Sequence, residues 1–184
     1  MERKLGEDAA RLALSSLSFD LSVYDIFGMF EAGATVVIPA ADVVSPPDPE
    51  KWLELVRSEG VTVWNTVPAF MELLVAHAEH ARERLPACLR LVWLSGDWIP
   101  LSLPGRIRAL SECAGVRVVS MGGATEAAIW SNMYELGTQL DAGVARHVDL
   151  RKAAVGKAVV RGVAGCVRGS VGQLHVKYDG RTVR

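Results

Sequence analysis

Val61-Thr62-Val63-Trp64-Asn65-Thr66-Val67-Pro68 decides the fold. Its first four residues are apolar or β-branched and suit a strand buried on both faces of a parallel sheet. Asn65 and Thr66 then set polar groups at the strand's carboxyl end, and Pro68, after a Thr66 cap, opens a helical stretch that reaches Arg84. The same strand-then-helix unit recurs on both sides. Ala34-Thr35-Val36-Val37-Ile38, Leu89-Arg90-Leu91-Val92-Trp93-Leu94 and Val116-Arg117-Val118-Val119 read as strands. Leu21 to Phe30 after Asp20, Pro49 to Ser58 after Asp48, and Leu103 to Cys113 read as helices, with Gly33, Gly60 and Gly115 as stop signals. From Arg11 to Val119 this alternation predicts an α/β fold, a mostly parallel sheet with helices on both faces. Ser45-Pro46-Pro47-Asp48-Pro49 is a rigid surface connection, since the alternation resumes unchanged after it.

Composition narrows the function classes. The 184 residues are 50% hydrophobic with a formal net charge of −1, which leaves no electrostatic footprint for nucleic acid or an anionic membrane and points to small, neutral or weakly charged ligands. Cys88, Cys113 and Cys166 are odd in number and widely spaced, against both a zinc site and a disulfide framework and in keeping with a reducing cytoplasm. The charged start Met1-Glu2-Arg3-Lys4 leads into no apolar signal, and no run is long enough to span a membrane. A soluble, cytoplasmic protein is expected.

In open parallel sheets ligands lie beyond the carboxyl ends of the strands. The residues there are Asp20, Asn65, Ser95-Gly96-Asp97 and Ser120 to Glu126. Taken singly, Asp20 and Thr66 read as helix caps and Gly96, Gly122 and Gly123 as turn glycines. Jointly they make a pocket rim: Gly122-Gly123-Ala124 removes side chains where a nucleotide can approach the main chain, Thr125 can donate to a phosphate, and Glu126 can hold magnesium. Asp20 can pair with a ligand ammonium. His77 and His80, three apart on one helix, have no thiol or acidic partner nearby and read as solvated surface residues, so no protein-held metal cluster is expected. Lys152 and Lys157 read as solvated charges. Trp52 reads as core, and Trp93 and Trp130 as pocket walls or core.

At these residues the chain resembles the adenylation domains of nonribosomal peptide synthetases, within the adenylate-forming ligase superfamily. The marks run from Leu14-Ser15-Ser16-Leu17-Ser18-Phe19-Asp20-Leu21-Ser22-Val23-Tyr24-Asp25-Ile26-Phe27-Gly28 through Asn65-Thr66-Val67-Pro68 and Leu94-Ser95-Gly96-Asp97-Trp98-Ile99-Pro100 to Gly122-Gly123-Ala124-Thr125-Glu126. The resemblance implies activation of an amino acid with ATP and Mg²⁺ to an aminoacyl adenylate, release of diphosphate, and loading onto a phosphopantetheine thiol of a peptidyl carrier protein, beside condensation or cyclisation domains. By position Asp20 is similar to the aspartate that holds the substrate ammonium. Thr125 and Glu126 are similar to the catalytic phosphate contact and magnesium ligand, and Gly96, Gly122, Gly123 and Ala124 would border the nucleotide. The side-chain pocket would be lined by Leu21, Tyr24, Asn65, Trp93, Ser95, Met121, Ile129 and Trp130, a set that with Asp20 resembles the selectivity pattern for cysteine. Such a lining, compact and with few polar groups, suits a thiol, with serine a narrow second. An acyl- or aryl-CoA ligase has no use for a buried Asp20, and a non-catalytic remnant or interaction module is the remaining rival.

The phosphate loop with its lysine, the ribose-binding aspartate and the small lysine-bearing C-terminal subdomain have no counterpart in this sequence, so residues 1–136 are expected to be a partial adenylation core, inactive alone. Residues 137–184 read as an irregular tail, strand-like again at Val171 to Val176. Where the family commonly shows a tryptophan and a Tyr-Gly-Lys/Arg-Pro-Leu segment, Val144 to Ala154 stand; their codons, read from each second base, can encode Trp-Arg-Asp-Met-Ser-Thr-Tyr-Gly-Lys-Pro-Leu. Val144 to Val163 is therefore expected to be translated out of frame and to pack poorly.

Overall fold

The computed structural model describes residues 8–123, 130, 132–137, 175–178 and 181–183. Within them β1 (Ala10–Leu12), β2 (Thr35–Ile38), β3 (Val63–Thr66), β4 (Leu91–Leu94), β5 (Arg117–Gly122), β6 (Asn132–Glu135), β7 (His175–Tyr178) and β8 (Arg181–Val183) form one sheet in the order β6-β5-β4-β3-β1-β2-β7-β8. β6 and β8 pair antiparallel with β5 and β7, and every other pairing is parallel. The expected α/β class with a mostly parallel sheet is what the chain adopts.

Alternation along the strands divides the sheet into two unlike faces. Leu12, Val37, Trp64, Val92, Leu94 and Val118 share one face and pack with Trp52, Leu53 and Val56 of α4 (Pro49–Ser58), Met71, Leu74 and Val75 of α5 (Pro68–Ala81) and Leu103 and Ile107 of α6 (Leu103–Leu110). The other face carries Arg11, Val36, Val63, Asn65, Trp93, Val119 and Met121, brought level by the register Arg11↔Val36, Arg11↔Val63, Asn65↔Trp93 and Trp93↔Val119. Over it lies a helical run made of α1 (Leu21–Val23), a π-helical segment (Tyr24–Gly28) and α2 (Met29–Ala32), whose Met29 packs on Ala9, Ala34 and Val36. A short α3 (Ala41–Val44) follows β2.

Local chemistry explains most element ends and several shifts from expectation. Asp48 caps α4 by accepting from the Lys51 amide at 3.1 Å, and Gly33 ends α2 in the left-handed region at φ 66°. Strand β3 begins two residues later than expected, because Val61 is tied to the end of α4 by its amide bond to the Val56 carbonyl. Asn65 and Thr66 therefore lie inside the strand. Thr66 does not cap α5: its hydroxyl accepts from Trp64 Nε1 at 2.7 Å, and Val67, held extended by the following proline, starts the helix. Asp20 likewise makes no side-chain capping bond, its backbone being already helical at φ −61° and ψ −25°. Helix α5 stops at Ala81, with Arg82 left-handed at φ 57°, and α6 stops at Leu110, where Ser111 turns extended and bridges Leu85, so Gly115 ends no helix. The proposed out-of-frame stretch, 144–163, lies outside the described residues.

Candidate functional site

The polar face of the sheet builds the site. Asn65 and Trp93 are register partners, Ser95 follows Trp93 by two residues on the same face, and Met121 follows Trp93's partner Val119 by two. All four side chains are buried. Tyr24, from the helical run above, meets Trp93 and Trp130 with ring centroids 5.3 Å and 4.6 Å apart, and Trp93 and Trp130 lie 5.6 Å from each other. Three aromatic rings from three distant parts of the chain thus close on one another in tilted and edge-on contacts. Gly28 makes room for this: a Cβ there would stand 2.6 Å from the Tyr24 ring. The π-helical geometry that carries Tyr24 and Asp25 is a local departure of the kind that re-aims side chains at functional sites.

Behind the rings lies a buried charge that sequence reading left out. Arg11 is 0% exposed, and its Nη2 stands 2.5 Å from Oδ1 of Asp25, itself 1% exposed. The contact is an ion pair rather than an aligned hydrogen bond, since Nη2 has no hydrogen-bond partner. The guanidinium also sits 5.1 Å from the centroid of the Tyr24 ring and 5.8 Å from that of Trp93, within cation–π range. Burial pushes Arg11 down to about 10, against the opposing pull of Asp25 and Tyr24, so it stays protonated at neutral pH. Asn65 Nδ2 donates to Asp25 Oδ1 at 3.1 Å. Around this core Arg11 Nε and Nη1, Asp25 Oδ2, Asn65 Oδ1, Ser95 Oγ and Trp130 Nε1 are buried with no hydrogen-bond partner among the described residues. The signal for Arg11 was a lone charge inside the apolar run Ala9-Ala10-Arg11-Leu12-Ala13-Leu14, where a buried cation requires an anion. Beside the expected lining, whose polar members include Asn65 and Ser95, lies the buried Arg11–Asp25 pair.

Asp20 is half-buried and Leu21 buried, one helical turn before Tyr24 and Asp25, on the same side of the run. Gly96 adopts φ 84°, a backbone that favours glycine, and an added Cβ would stand 3.5 Å from the Phe19 ring and 3.4 Å from Val67. That proximity joins the loop before Asp20 to the ends of β3 and β4. Gly122 is half-buried at the end of β5 and Gly123 exposed just beyond it. Ala124, Thr125, Glu126 and Ile129 lie outside the described residues, as do Lys152 and Lys157. Trp52 is core, donating from Nε1 to the Val43 carbonyl at 2.8 Å. His80 is exposed, but His77 is half-buried with its Nε2 buried and unpartnered, because it faces inward from α5. Among the described residues no three His, Cys, Asp or Glu side chains gather to hold a metal, and no helix is long and apolar enough to cross a membrane.

Comparison with known proteins gives one consistent answer. The AMP-binding enzyme family matches residues 1–179. The chain is 44% identical over 133 residues to the anguibactin system regulator of Vibrio anguillarum, covering 72% of this chain and 12% of that protein. It is 46% identical over 129 residues to pyochelin synthetase PchE of Pseudomonas aeruginosa, covering 69% of this chain and 8% of that protein. It thus spans about a tenth of the length of these relatives. Among solved structures, the nonribosomal peptide synthetase FmoA3 with bound α-methyl-L-serine-AMP superposes with a TM-score of 0.67 at 48% identity, over 75% of this chain and 15% of that one. FmoA3 with bound AMPPNP gives 0.66 at 51% identity, over 71% of this chain and 14% of that one. With its parallel sheet, its buried polar face and these relatives, the chain belongs to the AMP-binding enzyme family, as an adenylation-type segment of the kind found in nonribosomal peptide synthetases.

Proposed function

We propose that this chain is part of a domain that activates a small amino acid, cysteine by preference, with ATP to aminoacyl-AMP and diphosphate and then passes it to a carrier-protein thiol. The observation that carries this reading is the convergence of Asn65, Trp93, Ser95 and Met121 on one buried face, with Tyr24 and Trp130 packed against Trp93. Three aromatic rings in mutual contact leave no room for a large side chain beside them, and their apolar surfaces suit a thiol. Asp20, half-buried a turn before Tyr24, is the partner for the substrate ammonium. Leu21 would add to the lining, as would Ile129 by the family resemblance. Gly96, Gly122, Gly123 and Ala124 would border the nucleotide, with Thr125 at its phosphate and Glu126 as the magnesium ligand. That ATP is the nucleotide is supported by the AMPPNP bound to FmoA3. When bound, magnesium shields phosphate charge; it needs the acidic side chain that Glu126 supplies.

Serine is the closest rival substrate, for a specific reason. Ser95 Oγ and Asn65 Oδ1 are buried without partners and offer a hydroxyl the hydrogen bonds it requires. FmoA3, which carries α-methyl-L-serine-AMP, is 48% identical. In a whole synthetase the partners would be a peptidyl carrier protein bearing phosphopantetheine and neighbouring condensation or cyclisation domains, in the cytoplasm. The matched segment covers 14% of FmoA3, and the polypeptide alone would bind ligands without turning over.

Calorimetric titration of the chain with a cysteinyl sulfamoyl-adenosine, an unreactive adenylate mimic, tests the reading alongside ATP–diphosphate exchange. Saturable one-to-one binding without exchange is expected. Absence of binding would support a fold kept as a non-catalytic remnant.

A further inference from the structure

Asn65 meets the Asp25 carboxylate at one end of its amide, and at the other end its oxygen has no hydrogen-bond partner among the described residues. A carboxylate only accepts hydrogen bonds, so the group that Asn65 turns toward Asp25 must be its NH₂; the 3.1 Å bond from Nδ2 to Oδ1 is that contact. The Arg11 guanidinium stands 2.5 Å from that same Oδ1, in a site where both side chains are buried. The opposite end of the amide, Oδ1, is then a buried acceptor with no partner among the described residues, on the face that also carries Trp93 and the Ser95 hydroxyl, likewise without one among them. We propose that Arg11 and Asp25 are positioning residues that lock the Asn65 amide with its oxygen toward the substrate, so that the pocket reads a hydrogen-bond donor on the amino acid side chain. The chain of control runs from a cation behind the aromatic wall, through one carboxylate, to one acceptor at the substrate. Arg11 additionally braces the Tyr24 and Trp93 rings by lying against both.

The inference rests on the functional reading above and adds the chemistry of the side chain it selects: small and ending in S–H or O–H, either of which can donate to Oδ1. An apolar isostere such as 2-aminobutyrate leaves Oδ1 buried and unpaired, which is what discriminates against it.

The test is calorimetric titration of the full chain with seryl and 2-aminobutyryl sulfamoyl-adenosines, in wild type and in Arg11→Met, Arg11→Lys and the double variant Arg11→Met with Asp25→Leu. The double variant leaves no lone buried charge, so it keeps the fold should Arg11→Met alone lose it. The wild type is expected to prefer the seryl analogue by about tenfold or more. Loss of the pair should bring the ratio of the two affinities to within about threefold, whatever their absolute values, and Arg11→Lys should restore that ratio in part. Equal wild-type affinities, or a preference that survives in the double variant, would overturn the inference and leave the adenylation reading standing. Binding of neither analogue to the wild type would overturn both.

Discussion

The two faces of the sheet are made by the same strands and obey different rules. On one, Leu12, Trp64, Val92, Leu94 and Val118 meet three helices in a core of apolar side chains. On the other, one residue away along each strand, Arg11, Asn65, Trp93 and Ser95 are equally buried yet bring a charge, an amide and a hydroxyl with them. The first face gains free energy from every methylene it removes from water. The second retains buried polar atoms without partners among the described residues, the kind of cost that marks a candidate ligand site. Alternation by two lets one set of strands serve as scaffold and as site at once.

Substitutions separate the two. Trp64→Ala on the apolar face removes a side chain that is 1% exposed and should lower stability by about 3–5 kcal/mol in urea denaturation, the largest effect expected. On the polar face Asp25→Leu strands Arg11 as an uncompensated buried cation and should cost a similar amount, about 3–5 kcal/mol. If Asp25→Leu proved as mild as a surface change, the contrast between the faces would collapse. Gly28→Ala drives a methyl into the Tyr24 ring and should cost about 1–3 kcal/mol, with a shift in tryptophan fluorescence as Tyr24 moves off Trp93 and Trp130. Replacing both members of the pair, Arg11→Met with Asp25→Leu, should change stability by about 1 kcal/mol or less while altering ligand choice, which sharpens the view that the pair serves recognition.

The smallest effect belongs to the rim. Arg117 and Glu135 pair at 2.7 Å between β5 and β6, both about half exposed, and Arg117→Met should cost no more than about 1 kcal/mol. The Arg117 hydrogen bond holds the Glu135 carboxyl below its usual range. Its small contribution is therefore present above the ordinary glutamate pKa and is lost as pH falls through the lowered one, so the wild-type advantage over Arg117→Met should shrink on acidification and in high salt.

Much of this was legible in the chain because two periodicities overlay it. β-Branched runs of four residues and capped helices fixed the parallel sheet, and the strand-end rule led to Asn65, Ser95 and Gly96 before any coordinates. What escaped had tertiary causes. Thr66 reads as a helix cap, but the Trp64 indole, reachable only once the strand is formed, claims its hydroxyl. The π-helical turn at Tyr24–Gly28 has no signature beyond an ordinary amphipathic stretch, and it exists to fit Tyr24 over Gly28. Arg11 is one charged letter in an apolar strand; its meaning lies in Asp25, fourteen residues on in the sequence and 2.5 Å away in space.

The central claim is that the polar face is a pocket for a small amino acid held as its adenylate. Competitive titration of the chain with cysteinyl and phenylalanyl sulfamoyl-adenosines tests it most directly. The account predicts one-to-one binding with the cysteinyl compound favoured by about tenfold or more, since a ring this large has no place among Tyr24, Trp93 and Trp130. Equal affinity for the two, or binding of neither, would contradict it.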